Sequence, residues 1–202
     1  MAAPLAPTPS TRDRILDAAL GAFAARGVEA TSLDSLAAGV GVRKQTILYW
    51  FPSKEQVLLG VVDHAVAELG ARLGEAATSA GPSLSEQIAA VVDATFRLGT
   101  TDPQLLAFVR EVTRVGPPAS TQLSSALEPL VAGAAASLAR AGGAGGDVDR
   151  VRRLLVDAGA RVVGMVTEAE VRADLGLAPD VAWLRSRRRS LVESITIALG
   201  AR

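Results

Sequence analysis

TSLDSLAAGVGVRKQTILYWFPSK, residues 31–54, reads as two short helices around a glycine turn. Ser32 is placed to cap a helix running through Ala38, because its hydroxyl can accept the free N–H groups of a first turn. Gly39-Val40-Gly41 interrupts it, and a glycine there adopts positive φ at little cost. A third helix then spans Arg43 to Trp50. Phe51-Pro52-Ser53 breaks the chain again, with Ser53 placed to cap a fourth helix. Upstream, Ile15, Ala19, Ala22 and Phe23 fall at i, i+4, i+7 and i+8, the apolar face of a first helix from Thr11 to Arg26. Gly27 occupies the position of a C′ glycine. A longer helix followed by two short ones is a helix-turn-helix candidate.

The charges of this stretch set it apart. Lys plus Arg and Asp plus Glu both number 21, so the formal net charge is zero. A neutral total excludes a uniformly basic nucleic-acid coat, but a sum hides its own distribution. From Ser35 through Ser53 there is no acidic residue, and the chain's two lysines, Lys44 and Lys54, lie in or just beyond that window. A recognition helix presents its N-terminal residues to base edges. Here those are Arg43, Lys44, Gln45 and Thr46. Arginine suits guanine, glutamine suits adenine, and a threonine methyl can touch the thymine methyl. The plainer alternative, solvated charges on a surface helix, leaves the acid-free window unexplained. Lys54 stands at a helix N-terminus, where a cation is mildly unfavourable and a phosphate is welcome. Thr31 and Ser32 open the second helix and are candidates for backbone contact, with simple capping the alternative for Ser32.

Further helices are expected at Lys54–Ala77, Ser85–Leu98, Pro103–Val115, Ser120–Ala141, Val148–Leu175 and Pro179–Leu199. No useful period-2 alternation appears, so the fold class is all-α with about nine helices. MAAPLAPTPS, residues 1–10, has three prolines and no basic start, and reads as a disordered tail rather than a signal peptide. No stretch suits a membrane span. Without cysteine there is no disulfide, thiolate catalysis or zinc–cysteine site, and one histidine leaves little for a His-based metal site. No G-x-S-x-G or phosphate-loop pattern occurs. AGGAGG, residues 141–146, lacks the following Lys-Ser/Thr and reads as a flexible linker. We therefore expect no enzyme, cofactor or metal, and a cytoplasmic chain.

Residues 11–58 resemble the DNA-binding domain of the tetracycline-repressor (TetR) family of bacterial regulators. Ile15, Ala18, Ala19, Phe23 and Gly27 match its first helix. Thr46, Phe51, Lys54 and Glu55 match the end of its third helix and the start of its fourth. Leu48 departs from the family's usual tyrosine. Either Tyr49 or Trp50 supplies the aromatic phosphate contact, or the contact is missing, with Leu48 packed inward and Trp50 plugging the domain interface. The resemblance implies a three-helix DNA-binding domain over residues 11–56, with its motif at about 32–51, and a helical ligand-binding and dimerisation domain over 57–202. It implies a repressor that binds a palindromic operator in double-stranded DNA as a homodimer and is released by a small effector, lipophilic if the Ala, Val and Leu walls line its pocket. The alternative is a helical ligand- or protein-binding module that has lost DNA binding.

Family members hold their ligand between the fourth and eighth helices, which makes His64, Phe96, Phe108 and Met165 pocket candidates. Each could equally be ordinary core or surface. Arg97, Arg110, Glu111 and Arg114 could add polar contacts. The last two helices are the implied dimer interface, with Val163, Leu184, Leu191 and Ile195 as candidates and a monomeric bundle core as the alternative. Arg185, Arg187, Arg188 and Arg189 interrupt an amphipathic helix and read as a solvated rim or as cross-subunit ion pairs.

Overall fold

The computed structural model describes residues 10–177 and 180–200. The expected tail lies outside the described residues, apart from Ser10. Within them there is no strand, and nine α-helices follow one another: α1 Thr11–Arg26, α2 Leu33–Val40, α3 Lys44–Trp50, α4 Lys54–Thr78, α5 Leu84–Thr101, α6 Pro103–Val115, α7 Ala119–Arg140, α8 Val148–Asp174 and α9 Val181–Leu199.

Local chemistry sets the helix ends. The hydroxyls of Ser10, Ser32, Ser53 and Ser83 each accept an N–H of the first turn of α1, α2, α4 and α5, and Asp147 and Asp180 do the same for α8 and α9. The expected caps at Ser32 and Ser53 are thus present. Helix α2 runs through Gly39 to Val40, two residues further than expected. It stops at Gly41, whose φ of 76° and ψ of 35° lie in the left-handed region. Helix α5 starts earlier than expected, because Ser83 and Glu86 form a reciprocal capping box.

Two cores hold the molecule. The first gathers Ile15, Leu16 and Phe23 of α1, Leu36 of α2, Ile47 of α3, Val57 and Val61 of α4, and Leu105, Phe108 and Val112 of α6. The helix-turn-helix therefore shares its interior with α6 rather than closing a core of its own. Gly60 lets α4 come close, since a Cβ there would sit 2.8 Å from the Phe51 ring. The second core joins Ile88 and Val92 of α5, Ala135 and Ala139 of α7, Val151 of α8, and Leu191 and Leu199 of α9.

Residues 141–146 correct an expectation. Gly143–Gly146 forms a tight turn rather than a flexible linker, with Ala144 at φ 51° and Gly145 at φ 68° in the left-handed region. Gly143 is buried, and a Cβ on it would meet the Leu138 carbonyl oxygen at 2.8 Å. Gly143 serves close packing beside α7 and α9, while Gly142, Gly145 and Gly146 supply the positive φ of the turn.

Candidate nucleic-acid interface

Helix α3 is anchored by one side chain and open elsewhere. Ile47 is fully buried, and the rest of the helix turns outward around it. Arg43 is the N-cap residue, so the helix proper begins at Lys44. Arg43, Lys44 and Gln45 are exposed and Thr46 is half-buried. Three of the four positions expected to meet base edges thus stand exposed together at the helix N-terminus, and Thr46 is the one that does not. Lys44 also bonds Asp34 of α2 at 2.9 Å. Asp34 is the acid just before the acid-free window, and here it reaches across to tie α2 to α3. With both groups substantially exposed, such a pair contributes about 0–1 kcal/mol, and Lys44 can trade it for another anion.

Leu48 does not pack inward, being 37% exposed. Tyr49 is 80% exposed and Trp50 43%, and their rings meet edge to face at 5.3 Å and 82°. Trp50 is therefore no plug between domains. The face after the helix N-terminus is aromatic and open. Beside it, Arg12 lies 5.5 Å from the Phe51 ring centroid, and the Arg14 guanidinium donates to the Val40 carbonyl at 2.7 Å, holding the end of α2 onto α1.

Thr31 corrects its expected role. It is 1% exposed, and its hydroxyl donates to the Gly27 carbonyl at 2.8 Å. Its side chain pins the α1–α2 loop from within and is not offered to a partner. Ser32 sits at the surface and exchanges capping bonds with Ser35 at 3.0 and 3.2 Å. Lys54 does more than wait for a phosphate. Its ammonium donates to the Val28 carbonyl at 3.0 Å and to the Glu29 carbonyl at 3.4 Å. An ammonium has three donors, so a third direction remains.

The four pocket candidates do not converge. His64 on α4 faces α1, with Nε2 2.8 Å from the Asp17 carboxylate. Phe108 stacks on Phe23 in the first core, with centroids 6.4 Å apart. Phe96 and Met165 pack on the second core. A recess of about 430 Å³ instead opens between α4 and α5, lined by Ala76, Ala94 and Leu98 with Arg72, Glu75 and Arg97. No periodicity marks it, because its wall comes from two separate helices.

The dimer candidates divide as well. Leu191 is 4% exposed and lies in the chain's own second core, against which Ile195 also packs. Leu191 is therefore spent inside the chain, whereas Ile195 is half-buried. Val163 and Leu184 are half-buried. The apolar side chains that do reach the surface of α8 and α9 include Val156, Val171, Val181 and Ile197. Of the arginine cluster, Arg188 makes a forked pair with Asp93 of α5 and Arg187 pairs with Glu168 of α8. Both pair within the chain while remaining over 40% exposed, so they form a solvated rim tied to α5 and α8.

Sequence reasoning assigned Glu111 no place in the reading domain. Its carboxylate accepts the Val28 N–H at 2.8 Å and a fork from Arg114 at 2.7 Å on each oxygen. The Arg114 hydrogen bonds hold its pKa below the ordinary glutamate range, against the opposing effect of partial burial. A folded-state pKa below the unfolded one adds stability that is complete above the ordinary glutamate value and lost as pH falls through the depressed one. Melting temperatures followed toward acid pH should therefore fall more steeply for the wild type than for Glu111→Gln, with the two curves converging. Parallel curves would mean that the carboxylate contributes no such linkage.

Residues 15–61 match the family model for bacterial regulatory proteins of the tetR family. The fold extends the likeness over nearly the whole chain. The fatty acid degradation regulator FadR from Bacillus halodurans superposes at a TM-score of 0.73, with 18% identity over 93% of this chain and 97% of that one. A TetR transcriptional regulator from Legionella pneumophila gives 0.70 and 20% identity over 94% and 100%. A putative tetR family transcription regulator from Shewanella sp. PV-4 gives 0.69 and 18% over 95% and 97%. At such identities the likeness speaks for the fold. No curated protein matches the sequence.

Proposed function

The N-terminal domain belongs to the tetR family of bacterial regulatory proteins, and from that premise we propose that this chain is a cytoplasmic, ligand-responsive repressor that binds a palindromic operator as a homodimer. The observation that carries the reading is the open N-terminus of α3, where Arg43, Lys44 and Gln45 stand exposed on a helix anchored by Ile47. Arg43 and Gln45 read base edges, Lys44 exchanges Asp34 for the duplex, and Lys54 places its remaining donor on a phosphate. Tyr49 and Trp50 take over the aromatic contact that Leu48 cannot make.

One such head reads few base pairs, so a twofold pair is needed to read a longer palindrome. Support for pairing comes from α8, where Val156, Ala160, Val163 and Val171 fall along one face. Gly159 and Gly164 on the same helix have open space where a Cβ would be, and this permits close helix approach.

The effector is small and lipophilic, and the recess between α4 and α5 is its candidate entry. Ala76, Ala94 and Leu98 offer it apolar surface, and Arg72 and Arg97 can face a polar end. Helix α4 runs from Lys54 to this recess, so a ligand that favours one setting of α4 shifts the heads between matched and mismatched spacings. It acts only through its differential affinity for the two states.

Selection of duplexes from a random pool tests the reading. It should enrich a twofold-symmetric sequence, bound with strong salt dependence. No salt-sensitive enrichment would instead favour the helical ligand- or protein-binding module. Lys54→Ala should weaken binding to selected and random duplexes alike and reduce the magnitude of the salt slope by about 1, as for one lost phosphate contact. Fluorescence anisotropy over a salt series reads both quantities, and an unchanged slope would remove Lys54 from the phosphate contacts.

A further inference from the structure

Helix α6 reaches the reading domain through a seam of three contacts along one face. Gln104 lies against Gly21, where a Cβ would come within 2.9 Å of its Oε1. Phe108 stacks on Phe23. Glu111 lies against Gly27 and accepts the Val28 N–H at 2.8 Å. The first two contacts are packing. The third is directional, because a charged acceptor on α6 meets a single backbone donor in the loop between α1 and α2.

That loop is held from three sides. The Val28 N–H goes to Glu111 of α6, and the Val28 carbonyl accepts from Lys54 of α4 at 3.0 Å. From inside, the Thr31 hydroxyl closes on the Gly27 carbonyl at 2.8 Å. Glu111 is in turn fixed by the Arg114 fork, and its side chain is only 11% exposed. Gly27 makes the approach possible. Its φ is +81°, and a Cβ would stand 3.0 Å from Glu111 Oε1. Helix α2 starts directly after this loop, and α3 follows through the turn at Gly41. A displacement of the α6 carboxylate therefore acts on the backbone that carries the helix-turn-helix.

We infer that Glu111 is a positioning residue for DNA binding, joining α6 to the loop from which the reading helices hang. The orientation of the head is then set jointly by α4, through Lys54, and by α6, through Glu111. The functional half of this inference rests on the DNA-binding reading, whereas the structural half can be measured without DNA.

The test uses the full chain with Glu111→Ala, Glu111→Gln and Arg114→Ala. Hydrogen exchange of the Val28 amide should accelerate about tenfold or more in Glu111→Ala, as expected for loss of a hydrogen bond to a charged acceptor. Glu111→Gln keeps an acceptor oxygen and should lie between it and the wild type, which keeps the test decisive if the alanine variant folds poorly. Arg114→Ala should also fall between, since the carboxylate stays but loses its fork. Core amides of α1 such as Phe23 should keep their protection. On a duplex enriched by the wild type, Glu111→Ala should lose affinity about tenfold with the salt slope unchanged, because no phosphate contact is removed. Unchanged Val28 exchange in Glu111→Ala would overturn the link itself. Faster exchange with unchanged affinity would overturn the positioning role while leaving the DNA reading intact. If the wild type enriches no duplex, the DNA reading fails and takes the positioning role with it, while Val28 exchange still decides the link.

Discussion

Replacing Phe23 with alanine should lower the free energy of unfolding by about 3–5 kcal/mol, the usual cost of deleting a buried phenyl ring. Phe23 is fully buried and stacked on Phe108 at an interplanar angle of 19°. Its loss opens a void between α1 and α6, where Ile15, Ile47 and Val112 are also fully buried. A close-packed interior relaxes only partly around such a void. Domains are typically stable by about 5–15 kcal/mol, so the variant would be left near the edge of folding. Urea unfolding followed by circular dichroism measures the loss. A change below about 1 kcal/mol would mean that the core refills the site. Because this ring pair binds the reading domain to α6, DNA affinity should fail at the same denaturant concentration as helicity and not before it.

The second large effect concerns specificity. Arg43→Ala combined with Gln45→Ala should remove about 2–6 kcal/mol of discrimination between a selected duplex and a scrambled one, at about 1–3 kcal/mol for each bidentate base contact. Both side chains are exposed, and Arg43 makes no side-chain capping bond. The fold should thus keep its stability within about 0.5 kcal/mol. Competition binding with the two duplexes gives the ratio directly. A ratio that stays put would mean that sequence is read elsewhere. A ratio that falls while affinity for random DNA holds would separate base reading from the phosphate contact assigned to Lys54.

Much of the fold was legible because helix ends are local events. Ser32 and Ser53 act within three residues of themselves, and Gly27 and Gly41 reveal their turns by position alone. Packing is not local. Glu111 meets Val28 across 83 positions and Arg188 meets Asp93 across 95, and no spacing in the sequence foretells such partners. The misplaced residues share one cause. Thr31, Leu191 and Phe108 are each of a type that suits a site or a core, and only tertiary packing decides which. Thr31 turned inward because the loop carbonyl of Gly27 lay within its reach. His64 found Asp17 on a neighbouring helix rather than a pocket. The exposed start of α3 was readable in advance because Arg43 and Lys44 open it inside a window without a single acid.

The chain holds two tryptophans and a single tyrosine, and their placement makes the molecule its own spectroscopic reporter. Trp50 emits from the open face of the reading helix, with Tyr49 close enough at 5.3 Å to pass excitation to it. Trp183 emits from the first turn of α9, its ring flanked by the guanidinium groups of Arg172 at 5.6 Å and Arg187 at 5.8 Å. Trp183→Phe leaves one emitter at the head, which a bound duplex would shield from a soluble quencher. Trp50→Phe leaves the other, whose spectrum follows the α8–α9 end alone. Two single-tryptophan proteins would thus let events at either end of the chain be timed separately in solution, without an attached dye.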